Sequence, residues 1–282
     1  MSGKHLSDVM NEKMKKDVEK LKSKSVTPGL AVILIGTDPA SQTYVRNKEK
    51  RAEKLGIYSV VEKYSEEITE KALLKAINRL NADKSIHGIL VQLPLPRHID
   101  ENSVLMAINP AKDVDGFHPV NMGKLFAGHP DRIPCTPYGI MKMLDYYGVQ
   151  TEGKNAVVIG RSNIVGKPMA QLLMMNNATV TMAHSKTRNL QELTQQADIV
   201  VSAIGKGHFI TKEFIKPGAA VIDVGMNRNT NGKLIGDVNT DEVKEIAGFL
   251  TPVPKGVGPM TITMLMYQTI KSASESAGIE LN

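Results

Sequence analysis

The sequence lacks tryptophan and has one cysteine, Cys135, among 282 residues. A single cysteine excludes an internal disulfide and a thiolate zinc site, and it favours a reducing cytoplasm. Seven tyrosines and five phenylalanines are few for stacking bases, so the net charge of +6 does not predict nucleic-acid binding. No run approaches the roughly 18 apolar residues that span a bilayer, so no membrane partner is expected. An anionic substrate or cofactor explains the basic excess equally well.

Short apolar runs alternate with helical patterns, which predicts an α/β protein with parallel sheets. The predicted strands are LAVILI, IYSVV and IHGILVQ in the first half and NAVVIG, ATVTMA, DIVVSAIG and AAVIDVG in the second. The break between the halves is predicted within 116–150, where a helix over about 138–147 bridges them. We expect a domain over 1–137, completed by a last helix at 262–282, and a Rossmann-like dinucleotide-binding domain over 138–261.

The segment SQTYVRNKEKRAEKLG predicts a helix with an inward-pointing lysine. Asp38 as N-cap, Pro39 at the first position and Gly56 after the end mark its limits. At 100° per residue, one stripe contains Tyr44 and Lys48 and, with them, Ser41, Val45, Ala52 and Leu55, while the opposite face carries Arg46, Glu49, Lys50, Glu53 and Lys54. Either Lys48 turns its ammonium back out to solvent, or it faces a site where burial lowers its pKa for proton transfer.

Other polar residues follow strands of the first half, where parallel sheets collect ligands. Gln92 ends IHGILVQ, and the loop PAKDVDGFHP carries Asp113 and Asp115. Gln92 either caps the strand or joins Lys48 and Tyr44 in a site, together with Asp115. The spacing after Asp113 fails the calcium-loop pattern, and no histidine pair indicates zinc, so no metal is expected.

In the second half, NAVVIGRSNIVGKPMA predicts a strand, a glycine turn and a helix that bind a dinucleotide pyrophosphate. Gly160 and Gly166 are spaced unlike the usual fingerprint, so a plain strand–helix turn is the alternative. The next strand ends in HSKTR without a carboxylate for an NAD ribose. Arg161, Ser185 and Arg188 suit the extra phosphate of NADP, unless this is only a solvated loop. Asp223 is expected to have a structural role.

Taken in order, several motifs resemble the bifunctional methylenetetrahydrofolate dehydrogenase/methenyltetrahydrofolate cyclohydrolase family over nearly the whole chain. They are SQTYVRNKEKRAEKLGI, GILVQLPLP, PAKDVDGFHP, PCTPYGIM, VVIGRSNIVGKPMA, AHSKT and TPVPKGVGPMTITML. The resemblance implies a homodimer of two-domain subunits with folate in the cleft between the domains. It implies NADP-dependent oxidation of methylenetetrahydrofolate and hydrolysis of the methenyl product to formyltetrahydrofolate.

The resemblance also implies roles for individual residues. Lys48 matches the catalytic lysine, with Tyr44, Gln92 and Asp115 around the folate. The segment GVGP, which contains Gly258 and Pro259, is expected on the substrate. The cofactor-contacting positions are Gly160, Arg161, Ser162, Ser185 and Met226. Three places depart from the family pattern: Lys255 stands where a second glycine is common, Gly207-His208 replaces the usual proline after GK, and the amino terminus has only SGK where LDGK is common.

Two other functions remain open from the residues alone. A different oxidoreductase on the same scaffold, acting on a small carboxylic acid, explains the dinucleotide half and Lys48 but leaves Gln92 and Asp115 unexplained. A basic nucleic-acid-binding protein with a degenerate nucleotide fold predicts salt-sensitive RNA binding without turnover. An assay with methylenetetrahydrofolate and NADP distinguishes these two functions from the folate enzyme that the resemblance implies.

Overall fold

A computed structural model describes residues 1–281 and divides the chain into two compact units. The first unit comprises Val9–Ile133 and the chain from Ile262 onward. The second unit comprises Met1–Asp8 and Pro134–Thr261. Within residues 1–281, no helix combines the length and apolar character that crossing a membrane requires.

Helices and parallel strands alternate through both units, as the sequence predicts. The helices are α1 (Gly3–Ser23), α2 (Pro39–Leu55), α3 (Glu70–Ala82), α4 (Glu101–Ala107), α5 (Pro119–Phe126), α6 (Cys135–Tyr146), α7 (Gly166–Met175), α8 (Leu190–Gln195), α9 (Thr240–Val243) and α10 (Val257–Ala277). The strands are β1 (Gly29–Ile35), β2 (Tyr58–Tyr64), β3 (Gly88–Val91), β4 (Asn155–Ile159), β5 (Thr179–Ala183), β6 (Ile199–Ser202), β7 (Ala220–Asp223), β8 (Asn227–Arg228), β9 (Leu234–Ile235) and β10 (Phe249–Leu250).

The first unit contains a three-stranded parallel sheet in the order β2-β1-β3. Every residue of β1 and β3 is buried, as expected for parallel strands covered on both faces. An apolar cluster that includes Ile33, Leu73 and Ile89 packs α3 against this sheet. The carboxyl ends of β1 and β3 therefore lie side by side, and the backbone N–H of Gln92 donates to the carbonyl of Ile33 at 2.9 Å.

The second unit contains a five-stranded parallel sheet in the order β10-β7-β6-β4-β5. This arrangement confirms the predicted Rossmann-like domain. The register pairs Ile159 with Ala183 and with Ser202, and it pairs Ser202 with Asp223. The turns that follow β5, β4, β6 and β7 consequently open at one edge of the sheet. A two-stranded antiparallel ribbon, β8-β9, follows β7.

Two predicted helices begin earlier than expected, and the helix at the amino terminus was not predicted. The helices α6 and α10 begin at Cys135 and Val257, before the positions expected from their apolar periodicity. Both carry a proline in the first turn, Pro137 and Pro259, where the missing N–H has no helical partner to lose. The amino-terminal helix α1 was not among the predicted elements.

Candidate active site

The helix α2 buries the predicted stripe and directs Lys48 inward. Its N-cap Asp38 accepts from the backbone of Ser41 at 2.7 Å, and Gly56 ends it with a left-handed φ of 76°. All members of the stripe are buried except Tyr44, which is half-buried, and Lys48 is only 7% exposed. The charged residues assigned to the opposite face are all exposed. The predicted amphipathic pattern is therefore confirmed.

Lys48 makes a direct contact with the end of β3. Its Nζ donates to Oε1 of Gln92 at 2.9 Å. The amide nitrogen of Gln92 donates to the carbonyl of Leu93 at 2.8 Å, which leaves the amide oxygen for the lysine. Burial and a side-chain partner exclude the alternative in which Lys48 reaches out to bulk solvent.

The loop that carries Asp115 is organised by its neighbour Asp113. Asp113 is 1% exposed, and its carboxylate accepts four hydrogen bonds. The donors are the backbone N–H groups of Gly116 (3.1 Å), Phe117 (3.2 Å) and His118 (2.8 Å) and the side-chain amide of Asn121 (2.8 Å). Sequence reasoning considered Asp113 as a metal ligand and missed this role, although a buried aspartate before a glycine turn is a typical acceptor of loop N–H groups.

Lys112, which directly precedes Asp113, fixes the same loop beside β3. The carbonyl of Lys112 accepts from Ile89 at 2.7 Å. Its ammonium donates to the carbonyls of Leu80, Asn81 and Asp83 at 3.1, 2.8 and 2.7 Å, where α3 ends. Burial lowers the pKa of Lys112, and the charge of Asp83 opposes this shift. The half-buried Asp115 is thus held on a loop with little freedom.

The turn after β4 has the close backbone approach that a dinucleotide site needs. Gly160 has φ 124°, and a Cβ there would lie 2.4 Å from the carbonyl oxygen of Ala203. A Cβ on Gly166 would lie 2.3 Å from the carbonyl oxygen of Gly160. Ser162 Oγ accepts from the N–H groups of Val165 and Gly166 at 3.2 and 3.3 Å, at the start of α7. A strand, a glycine-restricted turn and a helix amino terminus fit a bound pyrophosphate.

The turn after β5 presents exposed polar side chains at the same sheet edge. His184 and Thr187 close it, because the N–H of His184 donates to Oγ1 of Thr187 at 2.8 Å and the N–H of Thr187 donates to the carbonyl of His184 at 2.8 Å. Ser185 and Arg188 are exposed, as is Arg161 after β4. Since Gly160 N–H donates to the carbonyl of Ala183, these two turns start next to each other.

The remaining predicted residues lie in the second unit as well. Met226 follows β7 and is 49% exposed. Gly258 and Pro259 form part of the first turn of α10, with Gly258 exposed and Pro259 half-buried. Cys135 is buried and forms no disulfide, as expected of a packing residue. Among residues 1–281 no cluster of His, Cys, Asp or Glu could hold a metal ion.

The parallel sheet and glycine turn of the second unit, with a buried lysine–glutamine contact in the first, define a dinucleotide-binding α/β enzyme. Two family models identify it further. The model described as tetrahydrofolate dehydrogenase/cyclohydrolase, catalytic domain, matches residues 1–115, and that for the NAD(P)-binding domain of the same family matches residues 134–277. The chain belongs to the tetrahydrofolate dehydrogenase/cyclohydrolase family.

Individual relatives agree over the full length. The chain is 65% identical over 275 residues to the bifunctional protein FolD of Enterococcus faecalis, with 98% of each chain covered. The crystal structure of the bifunctional FolD methylenetetrahydrofolate dehydrogenase/cyclohydrolase from Campylobacter jejuni has a TM-score of 0.96 at 50% identity, covering 98% of each chain.

The Trypanosoma brucei enzyme, solved with NADP cofactor and an inhibitor, has a TM-score of 0.94 at 38% identity, covering 98% of this chain and 97% of that one. The predicted bifunctional folate dehydrogenase and cyclohydrolase, with a nicotinamide dinucleotide as cofactor, is therefore confirmed.

Proposed function

We propose that Lys48 carries the cyclohydrolase step, supported by its buried position and its 2.9 Å hydrogen bond to Gln92. A lysine amine beside the substrate can act as a general base by accepting a proton from water. Gln92 orients the nitrogen, and the carbonyl of Leu93 fixes the amide of Gln92 in turn.

The hydrolysis requires one proton acceptor in the right place. Water adds to the positively charged one-carbon bridge of methenyltetrahydrofolate and loses a proton to the Lys48 amine. One carbon–nitrogen bond then breaks as its nitrogen gains a proton and the new hydroxyl loses its own, which leaves the formyl group on the other nitrogen. The net reaction consumes one water and releases one proton. General base catalysis of this kind contributes about 10²- to 10⁴-fold to a rate.

We further propose that Tyr44, Asp115, Gly258 and Pro259 bind the folate. Tyr44 lies one turn before Lys48 on α2 and is half-buried, so it can stack on the pterin and order the lysine. The carboxylate of Asp115 suits the amino-pyrimidine edge of a pterin, because it can accept two parallel N–H bonds. The exposed Gly258 lets a ligand approach the backbone closely.

We propose NADP rather than NAD as the cofactor, held by Gly160, Arg161, Ser162, Ser185 and Met226. When bound, NADP accepts a hydride from methylenetetrahydrofolate. Gly160 admits the pyrophosphate to the turn after β4, beside the positive end of the α7 helix dipole. Arg161 and Ser185 suit the 2′-phosphate, since both are exposed on adjacent turns and no carboxylate follows β5.

Replacing Ser185 by aspartate tests this phosphate site. We expect the KM for NADP to rise about 10- to 100-fold through repulsion of the 2′-phosphate, with the KM for NAD little changed. Thr179→Asp adds the same charge at the opposite end of β5, where Thr179 is also exposed, and should leave both values unchanged. Steady-state kinetics with both cofactors measures the effect, and an unaltered KM for NADP in Ser185→Asp would refute the assignment.

The function as a whole is tested by incubating the purified chain with methylenetetrahydrofolate and either NADP or NAD. We expect methenyl absorbance to appear faster with NADP and formyltetrahydrofolate to follow as the product. Turnover of a small hydroxy or keto acid instead, without a response to the folate, would identify a different oxidoreductase on this scaffold.

We also propose a homodimer in the cytoplasm, with a folate-binding domain that the carboxyl-terminal helix completes. Family membership supports the dimer, and a buried Cys135 outside any disulfide suits a reducing compartment. In the first unit, Gln268 of α10 donates to the carbonyls of Val114 and Ile133 at 2.7 and 2.9 Å, which supports the proposed domain. Light scattering should give about twice the chain mass of 30.8 kDa.

A further inference from the structure

Two fully buried carboxylates stand next to each other in the second unit. Asp223, at the end of β7, is 1% exposed, and Asp237, which follows β9, is 0% exposed. They are linked directly, because Oδ1 of Asp223 accepts from the N–H of Asp237 at 2.9 Å. Asp223 also accepts from the N–H groups of Gly225 at 2.8 Å and Val238 at 2.9 Å.

Asp237 collects donors from the ends of both neighbouring strands. Its Oδ2 accepts from the N–H of Ile204 (2.8 Å), the N–H of Gly205 (3.3 Å) and the hydroxyl of Ser202 (3.2 Å). Its Oδ1 accepts from the N–H of Lys206 (2.9 Å) and the side-chain amide of Asn227 (2.9 Å). One side chain therefore joins the turn after β6 to the turn after β7.

The two carboxylates are neutralised by dipoles rather than by cations. Their hydrogen-bond donors are N–H and O–H groups, and neither is in an ion pair within residues 1–281. Burial, reinforced by the charge of Asp237, raises the pKa of Asp223 to about 6 against the influence of its three backbone donors. Two adjacent buried carboxylates are unfavourable, so their presence indicates a requirement other than stability.

The surrounding backbone is shaped to admit this pair. A Cβ on Gly236 would lie 1.7 Å from Oδ2 of Asp223, and a Cβ on Gly225 would lie 2.3 Å from Oδ1 of Asp237. Both glycines are thus needed for the carboxylates to reach their donors.

The segments that the pair holds lie at the carboxyl edge of the sheet, where dinucleotides bind. Ser202 and Asp223 are register partners, and Ala203 N–H donates to the carbonyl of Ile159, directly before the glycine turn. Met226 stands between Gly225 and Asn227, both of which donate to the pair. In this fold the pyrophosphate occupies the turn after β4, so the turns after β6 and β7 face the nicotinamide end.

We propose that Asp223 and Asp237 act together as positioning residues for the oxidation step, by fixing the turns after β6 and β7 against the nicotinamide. This inference rests on the proposed cofactor site and adds to it two residues that do not themselves contact the cofactor. Because hydride transfer depends steeply on distance and orientation, a small shift of these turns slows it. Hydrolysis of the methenyl compound needs no hydride acceptor and serves as an internal control.

The experiment compares Asp237→Asn and Asp223→Asn with wild type in both half-reactions. We expect kcat for NADP-dependent oxidation to fall about 10- to 100-fold, more than KM changes, while hydrolysis of added methenyltetrahydrofolate without NADP stays within about twofold. Asp198→Asn is the matched control. Asp198 also accepts a backbone N–H, that of Asn155 at 3.0 Å, and pairs with Lys216 at 2.6 Å, but it precedes β6 at the opposite edge of the sheet.

Three results would overturn the proposal: oxidation at the wild-type rate, a proportional loss of both activities, or an equal loss of oxidation in Asp198→Asn. If the aspartate variants fail to fold, Asn227→Ala decides, since it removes one donor to Asp237 and leaves the backbone donors in place. Asn227→Ala should lower kcat for oxidation several-fold and leave hydrolysis unchanged. An unchanged kcat for oxidation would contradict the proposal. A wild-type protein that oxidises no methylenetetrahydrofolate would instead refute the cofactor and substrate assignment.

Discussion

The two units use the ends of their strands in different ways. In the first, Gln92 after β3 presents its side chain to another side chain, Lys48 on α2. In the second, Asp223 and Asp237 present theirs to backbone N–H groups of neighbouring turns. Under the proposed function, the first arrangement orients a reactive group, whereas the second fixes the shape of a binding surface. Hydrolysis, which moves a proton, needs an oriented reactive side chain. Oxidation, whose chemistry the cofactor supplies, needs a binding surface of fixed shape.

Removing the partner of Lys48 should produce a large effect confined to one activity. We expect Gln92→Ala to lower kcat for methenyltetrahydrofolate hydrolysis about 10- to 100-fold, because the amine loses its orientation. Gln42→Ala is the control on α2, since the amide of Gln42 donates only to the carbonyl of Thr37 in the described contacts. The hydrolysis rates of the two variants measure the effect. Equal rates would show that Gln92 does not contribute to hydrolysis.

The second unit should respond to pH through Asp223. Its pKa of about 6 exceeds the ordinary 3.8, so between these values the folded chain holds a proton that the unfolded chain releases. The stability that Asp223 contributes is fully present below pH 4 and is lost as pH rises to 6, by about 1 kcal/mol per pH unit.

Asp223→Asn abolishes this titration. Denaturant unfolding at pH 5, 6 and 7 should show wild type gaining stability relative to the variant at the lowest pH. A difference between the two that is independent of pH would show that Asp223 titrates alike in both states.

Lys255 offers a smaller test of backbone strain in the second unit. It has φ 78°, in the left-handed region that favours glycine. We expect Lys255→Gly to raise the free energy of unfolding by about 0.5 to 1 kcal/mol. Lys244, with φ −58°, is the control, and Lys244→Gly should destabilise. A loss of stability in Lys255→Gly would mean that the lysine side chain outweighs the strain.

The features of the two units that depend on local sequence pattern were predictable from the sequence. The limits of α2, its buried stripe and the inward lysine follow from capping residues and periodicity. The seven longest strands and the glycine turn after β4 were predicted from short apolar runs and their punctuation, whereas the helices α1, α4, α5 and α9 were not.

Contacts that depend on the tertiary fold were not predictable in this way. The partners of Asp223 are not evident from the sequence because its donors are backbone N–H groups, one of them 15 residues away at Val238. Asp113 was weighed as a metal ligand, since a sequence does not show which turn will close on a carboxylate. The early starts of α6 and α10 were missed because proline and glycine in a first turn resemble a loop.

The most direct test compares Lys48→Met with Lys50→Met. Both variants remove one ammonium from α2, but Lys48 is buried against Gln92 and Lys50 is exposed. Hydrolysis of methenyltetrahydrofolate and folate binding should be measured on the same samples. We expect Lys48→Met to bind folate yet hydrolyse about 10²- to 10⁴-fold more slowly, and Lys50→Met to match wild type. Hydrolysis at the wild-type rate by Lys48→Met would show that the proton passes through another group.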